Sequence, residues 1–367
     1  MIRARMAPEA LLLAAAIAVP LTLFWDFSWE STIGVDRFFG PPHAANYLAV
    51  AAAAAAAFRL VAVSTRRGDG GVSLGRARGP LGAWIVLWGA LAFVAALLFD
   101  RWWQSNYGLA AGIWHPPQIA KALAYFAVVS GAWIALVARQ TSTAAAIAAA
   151  FAAGAVLAMI SVVTTAQSFA NRQHSSVFYE LGCATYPLVL VAHALAGRLR
   201  APASAAAGAY MALVGAMVWV LPRFAATPQA GPVYNALDHL LAPPFPLLLI
   251  VPAAGLDFLL RRSPGRRASS SGWADALECG CAFFGLFALT QWLFSAFLLS
   301  PGADQWFFAG GGRDWPFFLR IDPEARTAFW DFMSPGLDLV GGFVAAALAI
   351  GSSRAGLWLG GALRGKA

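Results

Sequence analysis

A chain of 367 residues with 60% hydrophobic and only 11% charged side chains is not disordered, since disordered chains are poor in apolar residues and rich in charge. Nor is it an ordinary soluble domain, where about 25% of residues are charged. What remains is an all-α polytopic membrane protein, and its net charge of +8 reads as membrane topology, with no nucleic-acid partner implied.

A span needs about 20 mostly apolar residues. The sequence predicts about ten, at 8–25, 43–64, 81–99, 117–138, 143–166, 179–197, 204–222, 241–260, 274–299 and 334–352. The first follows Arg3 and Arg5, but Trp25 and Trp29 stand where a cleavable leader would carry small residues, so it reads as a span. Ser64–Gly79 and Arg261–Gly272 are Gly-, Ser- and Arg-rich and read as open connectors. Residues 300–332 form a long outer loop. With the N-terminus placed inside, sixteen of the 25 Lys and Arg residues fall in inner segments and seven in outer ones, leaving Arg59 and Lys121 within spans. That bias puts both termini in the cytoplasm, as expected for a bacterial inner-membrane protein. Tryptophans 25, 29, 102, 103, 114, 306, 315 and 330 collect on the outer side, where an apolar ring with a polar N–H suits the interface. Cys183, Cys279 and Cys281 give neither a disulfide framework nor a four-thiolate zinc pattern.

Two hairpins read as an internal repeat, over residues 8–64 and 81–138. The first carries Trp25-Asp26-Phe27-Ser28-Trp29-Glu30, then Gly34, then Pro41-Pro42-His43. The second carries Phe99-Asp100-Arg101-Trp102-Trp103-Gln104, then Gly108, then His115-Pro116-Pro117-Gln118. Asp26 matches Asp100, Trp29 matches Trp103, Glu30 matches Gln104, and the diprolines match after one inserted residue. Asp26 and Glu30 are four apart, on one helical face. Pro41 and Pro42 suit a helix start, which puts His43 at the outer end of the second span. Two carboxylates and an imidazole suit a borderline divalent metal, with Asp36 or His115 orienting a ligand from behind. The alternative is a hydrogen-bonded hairpin. Asp100, Gln104 and Gln118 make a poorer metal set.

The spacing Asp26-x3-Glu30-x12-His43, with Trp29, Asp36, Phe39 and Pro41 around it, resembles the metal-binding stretch in the third subunit of the copper membrane monooxygenases, the particulate methane and ammonia enzymes. The resemblance covers about thirty residues, with a weaker second copy. It implies a metal site, copper or another divalent ion, and a place beside other membrane subunits or a second copy of the chain. It departs from the family at Glu30, where histidine is expected, and carboxylate suits Cu(I) less well than imidazole. Monooxygenase activity does not follow from it. The competing expectations are an accessory subunit with a degenerate site and a small-solute transporter.

Elsewhere, His174 reads as solvated, and His193 as an interhelical hydrogen-bonder. Asp257 reads as an i,i+4 partner of Arg261. Asn235, Asp238 and His239 form a small polar group, and Asp338 is a candidate for an ion path. No pair of interrupted helices is apparent, which counts against a transporter.

Overall fold

The computed structural model describes residues 7–34, 38–68, 71–108, 114–164, 168–229, 237–262, 272–308 and 336–364. Among these, ten helices follow one another: α1 (Ala7–Thr32), α2 (Pro41–Arg67), α3 (Leu81–Tyr107), α4 (Pro116–Val137), α5 (Thr143–Val163), α6 (Ser176–Ala196), α7 (Pro202–Val220), α8 (Ile250–Arg262), α9 (Trp273–Leu298) and α10 (Leu339–Arg364). Nine are long and apolar enough to cross a membrane. The exception is α8. The protein is therefore an all-α polytopic bundle, and its lipid-facing surface accounts for exposed residues such as Leu98, Leu123, Leu293, Phe343 and Trp358.

Small residues set the packing. Between stretches of lipid-like side chains there is no hydrophobic force to gain, so close backbone approach supplies the cohesion. On α3, Gly82 meets the backbone of Gly131 and Ala135 on α4 so closely that any Cβ would collide with it. Gly356 and Gly360 of α10 lie against the carbonyls of Leu188 and Ala192 on α6 in the same way. The centre is α5, whose alanines 149, 152, 153, 155 and 158 are buried. The first four helices form one group in which α1 also packs on α4 and α2 on α3.

Contacts between loops define two sides. On one, the Gln229 N–H donates to the Ile33 carbonyl over 2.8 Å, and the Leu337 N–H to the His174 carbonyl over 2.9 Å. On the other, Arg139 pairs with Glu9 at 2.8 Å and the Arg198 guanidinium donates to the Gln140 carbonyl. The Ser64–Gly79 connector is more ordered than its composition suggests. Val72–Leu74 (β1) and Ala77–Gly79 (β2) form an antiparallel hairpin, tied to α2 by the Thr65 hydroxyl and the backbone of Arg78. Of the second connector, residues 263–271 lie outside the described residues, as does 309–335 of the long outer loop.

The eighth span differs from expectation. The apolar run 241–260 is not one helix, because residues 240–249 are non-helical and α8 begins only at Ile250. Pro243, Pro244 and Pro246 remove three backbone donors and obstruct helical geometry. The 13 residues of α8 rise about 20 Å against a hydrocarbon core of about 30 Å. The crossing is completed by extended chain enclosed within the bundle, the one setting in which irregular backbone is tolerated at membrane depth.

Candidate metal centre

Asp26 and Glu30 occupy the last two turns of α1. Trp25 and Trp29, edge to face at 6.4 Å, pack on a cluster of Ile33, Leu221, Ala226 and Leu240. The Ser31 and Thr32 hydroxyls donate back to the carbonyls of Phe27 and Ser28. The aromatic flank is thus buried, and the carboxylates turn toward α2. That helix starts at the diproline, with Gly40 as its N-cap, because proline loses nothing where the first amides have no intrahelical acceptor. His43 falls in its first turn. Its ring stacks on Tyr47 (centroids 6.1 Å apart, planes at 10°), and the Tyr47 hydroxyl donates to the Phe38 carbonyl at 3.0 Å, holding the connecting loop.

These supports bring the three residues together. His43 Nε2 lies 3.2 Å from Asp26 Oδ2, and one ligand atom from each of Asp26, Glu30 and His43 lies within 4.8 Å of the others. Ligands sharing one divalent ion at about 2.0–2.2 Å stand roughly 3–4 Å apart, so modest side-chain rotation separates this arrangement from coordination. Asp26 Oδ1 is buried and has no hydrogen-bond partner, although a buried carboxylate oxygen ordinarily has one. The residues fit a divalent ion by donor type, convergence and this orphaned oxygen. The start of α2 adds partial positive charge beside the carboxylates.

The second hairpin is built alike and ends differently. Asp100 sits at the corresponding place on α3, Gln104 donates to its Oδ2 at 3.2 Å, and His115 and the diproline open α4. The Asp100 carboxylate, however, meets the Lys121 ammonium at 2.9 Å. Lys121 follows Gln118 by three residues and so lies one turn deeper on α4. The sequence signal is a lone lysine in an apolar run, but its partner is 21 residues back on another helix. His115 does not join the Asp26 group. Asp36 lies outside the described residues.

The other polar candidates have structural uses. His174 is half-buried, not fully solvated as the sequence suggests: its ring stands edge-on to Trp292, centroids 4.1 Å apart, and burial lowers its pKa. His193 Nδ1 accepts from Trp133 Nε1 at 3.2 Å, the expected interhelical bond. Asp257 does not pair with the Arg261 side chain through its carboxylate. It accepts from the Ala203 and Ser204 N–H groups and the Ser204 hydroxyl at the start of α7, while Arg261 donates to its backbone carbonyl. Asp338 accepts from the Gly341 N–H at 2.7 Å, capping α10. His239 bonds Asp238 at 2.7 Å, which lowers the Asp238 pKa, and Asn235 lies outside the described residues. Among the described residues, Asp26, Glu30 and His43 remain the one convergent set of three such ligands. Comparison of the chain with family models, with curated proteins and with solved structures returned no match.

Proposed function

We propose that this integral membrane protein binds one divalent metal at its outer face through Asp26, Glu30 and His43. The observation that carries the reading is their convergence within 4.8 Å across two helices and a loop, with the unpartnered Asp26 Oδ1 beside them. Three protein ligands leave positions for water or a further ligand. Two oxygens and one nitrogen favour a hard or borderline divalent ion over Cu(I). The resemblance to the third subunit of the copper membrane monooxygenases supports the position of the site and a setting among other membrane subunits, and the Lys and Arg asymmetry supports a bacterial inner membrane with both termini cytoplasmic. It supplies no reaction. The second hairpin is read as a copy whose metal has been replaced by the Lys121 ammonium.

The test is metal content of the purified, tag-free protein after loading with copper, zinc or manganese, compared with His43→Ala at equal concentration. About one equivalent in wild type and a loss of at least about tenfold in affinity for the variant are expected, since losing one of three ligands removes a large part of the binding energy. Equal occupancy in both, or none in either, overturns the reading and leaves a hydrogen-bonded structural hairpin.

A further inference from the structure

The hairpin between α2 and α3 carries a second inference, independent of the metal centre. It turns at Gly75-Arg76, where Gly75 has φ +60°, the left-handed conformation that a two-residue hairpin turn asks of glycine. Its register pairs Val72 with Gly79 and Leu74 with Ala77, so these four share one face. On that face Ala77 packs on the core, and Gly79 lies so close to Val61 that a Cβ would collide with it. The Thr65 hydroxyl bonds the backbone of Arg78, and the Trp84 indole N–H donates to the Val72 carbonyl at 3.1 Å. Val61 and Thr65 belong to the last two turns of α2, and Trp84 to the first turn of α3. The hairpin is therefore held alongside the ends of two spans, at the depth of lipid headgroups.

The side chains left uncovered here are of two kinds. Val72 and Leu74 are exposed, and so are Arg66, Arg67, Arg76 and Arg78. Among the described residues none of these four guanidiniums has an ion-pair or hydrogen-bond partner. The one carboxylate of the connector, Asp69, lies outside the described residues. Arginines that served topology alone would need no order in their loop. These are carried by a fixed element, together with exposed aliphatic side chains, and that combination suits a surface lying among headgroups. Basic residues clustered directly after a span attract anionic lipid. Guanidinium groups match phosphate through paired N–H donors, and the aliphatic pair matches acyl chains. A nucleic acid would use the arginines and leave Val72 and Leu74 in water.

We propose that the β1–β2 hairpin and the end of α2 bind an anionic phospholipid of the leaflet in which they lie, its phosphate meeting Arg66, Arg67, Arg76 and Arg78 and its acyl chains meeting Val72 and Leu74. The intact protein is kept in neutral detergent with a chelator. It receives phosphatidylglycerol or phosphatidylcholine at rising mole fraction, and its thermal unfolding is followed. A ligand bound only by the folded state raises Tm in a saturable way, so phosphatidylglycerol should raise it above the phosphatidylcholine curve. Arg76→Gln with Arg78→Gln should weaken half-saturation by phosphatidylglycerol roughly tenfold to thirtyfold. Its Tm in phosphatidylcholine should be unchanged, because both side chains are exposed. Arg200→Gln with Arg262→Gln removes two exposed arginines of other inner segments and should keep the wild-type curve. Free glycerol phosphate should raise nothing, since it brings no acyl chain to Val72 and Leu74. Equal curves for the two lipids, or an unchanged curve in the Arg76 and Arg78 variant, overturns the proposal. So does an equal loss in the Arg200 and Arg262 variant, which leaves a diffuse attraction of the whole face, or an equal rise with glycerol phosphate, which leaves a soluble-anion site. Should the hairpin double variant fail to fold, Arg76→Gln alone, at the turn, decides by the same comparison, with a loss of about fivefold expected and none overturning the site.

Discussion

In the first hairpin Asp26 faces the imidazole of His43; in the second, Asp100 faces the ammonium of Lys121. The helices, the diproline starts and the position of each aspartate near the end of its helix are shared. The residue three places after the helix-opening His43 or Gln118 differs. In the first hairpin it is Asn46, buried and donating to the Thr22 hydroxyl at 2.9 Å, too short to reach the carboxylate one turn above. In the second it is Lys121, long enough to reach it. A carboxylate withdrawn from water needs a positive partner. One hairpin carries its cation covalently, and the other presents a ligand set that can recruit one. The lesson is that a single residue, one turn from the conspicuous motif, decides between a metal site and an ion pair.

The largest expected effect breaks the second hairpin. Replacing Lys121 by Met leaves Asp100 charged, largely buried and unpaired, which costs about 3–5 kcal/mol. Heat or denaturant unfolding in detergent should show it. The double variant Lys121→Met with Asp100→Leu should recover most of the loss, because the penalty lies in the stranded charge. A Lys121→Met protein as stable as wild type would remove the ion pair from the comparison.

The next variant moves the cation. Asn46→Lys places an ammonium in the first hairpin where Lys121 stands in the second. Metal affinity should fall by at least about tenfold, although Asp26, Glu30 and His43 are all retained. The reciprocal triple change, Lys121→Asn with Gln104→Glu and Gln118→His, should raise the metal count from one to two per chain. Unchanged metal binding in Asn46→Lys would mean that the two aspartates are not in equivalent settings.

The span pattern, the diproline helix starts and the meeting of Asp26, Glu30 and His43 are legible in the sequence, because they depend on hydropathy and on local helical spacing. Lys121 is legible as a residue and not as a partner, since only packing of α3 on α4 brings it to Asp100. The 241–260 run departs from expectation for a different reason. Its hydropathy is that of a span, and hydropathy does not register that Pro243, Pro244 and Pro246 deny the backbone its ladder. His174 reads as solvated in the sequence because tertiary burial against Trp292 has no local signature.

Acid sharpens the comparison more gently. An imidazole must be unprotonated to coordinate, so apparent metal affinity should fall by up to about tenfold per pH unit once His43 takes up a proton. The Asp100–Lys121 pair contains no imidazole and should persist through the same range. Metal titrations at pH 7.5, 6.5 and 5.5 measure the first, and the midpoint lost on Lys121→Met in metal-free protein, compared at each of these pH values, reports the second. A pH-independent metal affinity would exclude His43 as a ligand while leaving both carboxylates in play.

The smallest effect guards that reading against a general loss of fold. Burial against Trp292 pushes the His174 imidazole below its ordinary value, so the folded protein keeps this ring neutral while the unfolded chain protonates it near pH 6.5. In that range the unfolded state binds more protons, and stability falls as pH falls. The contribution is complete above about pH 6.5 and is lost progressively below it. His174→Gln keeps a polar side chain but cannot titrate. Between pH 7.5 and 5.5 the wild type should therefore lose more of its unfolding midpoint than the variant does. The acid loss of metal at His43 should be the same in both, because His174 belongs to the loop before α6 and the metal ligands to α1 and α2. If His174→Gln also abolished the pH dependence of metal binding, that dependence would belong to the stability of the fold, and the contrast between the two hairpins would lose its acid signature.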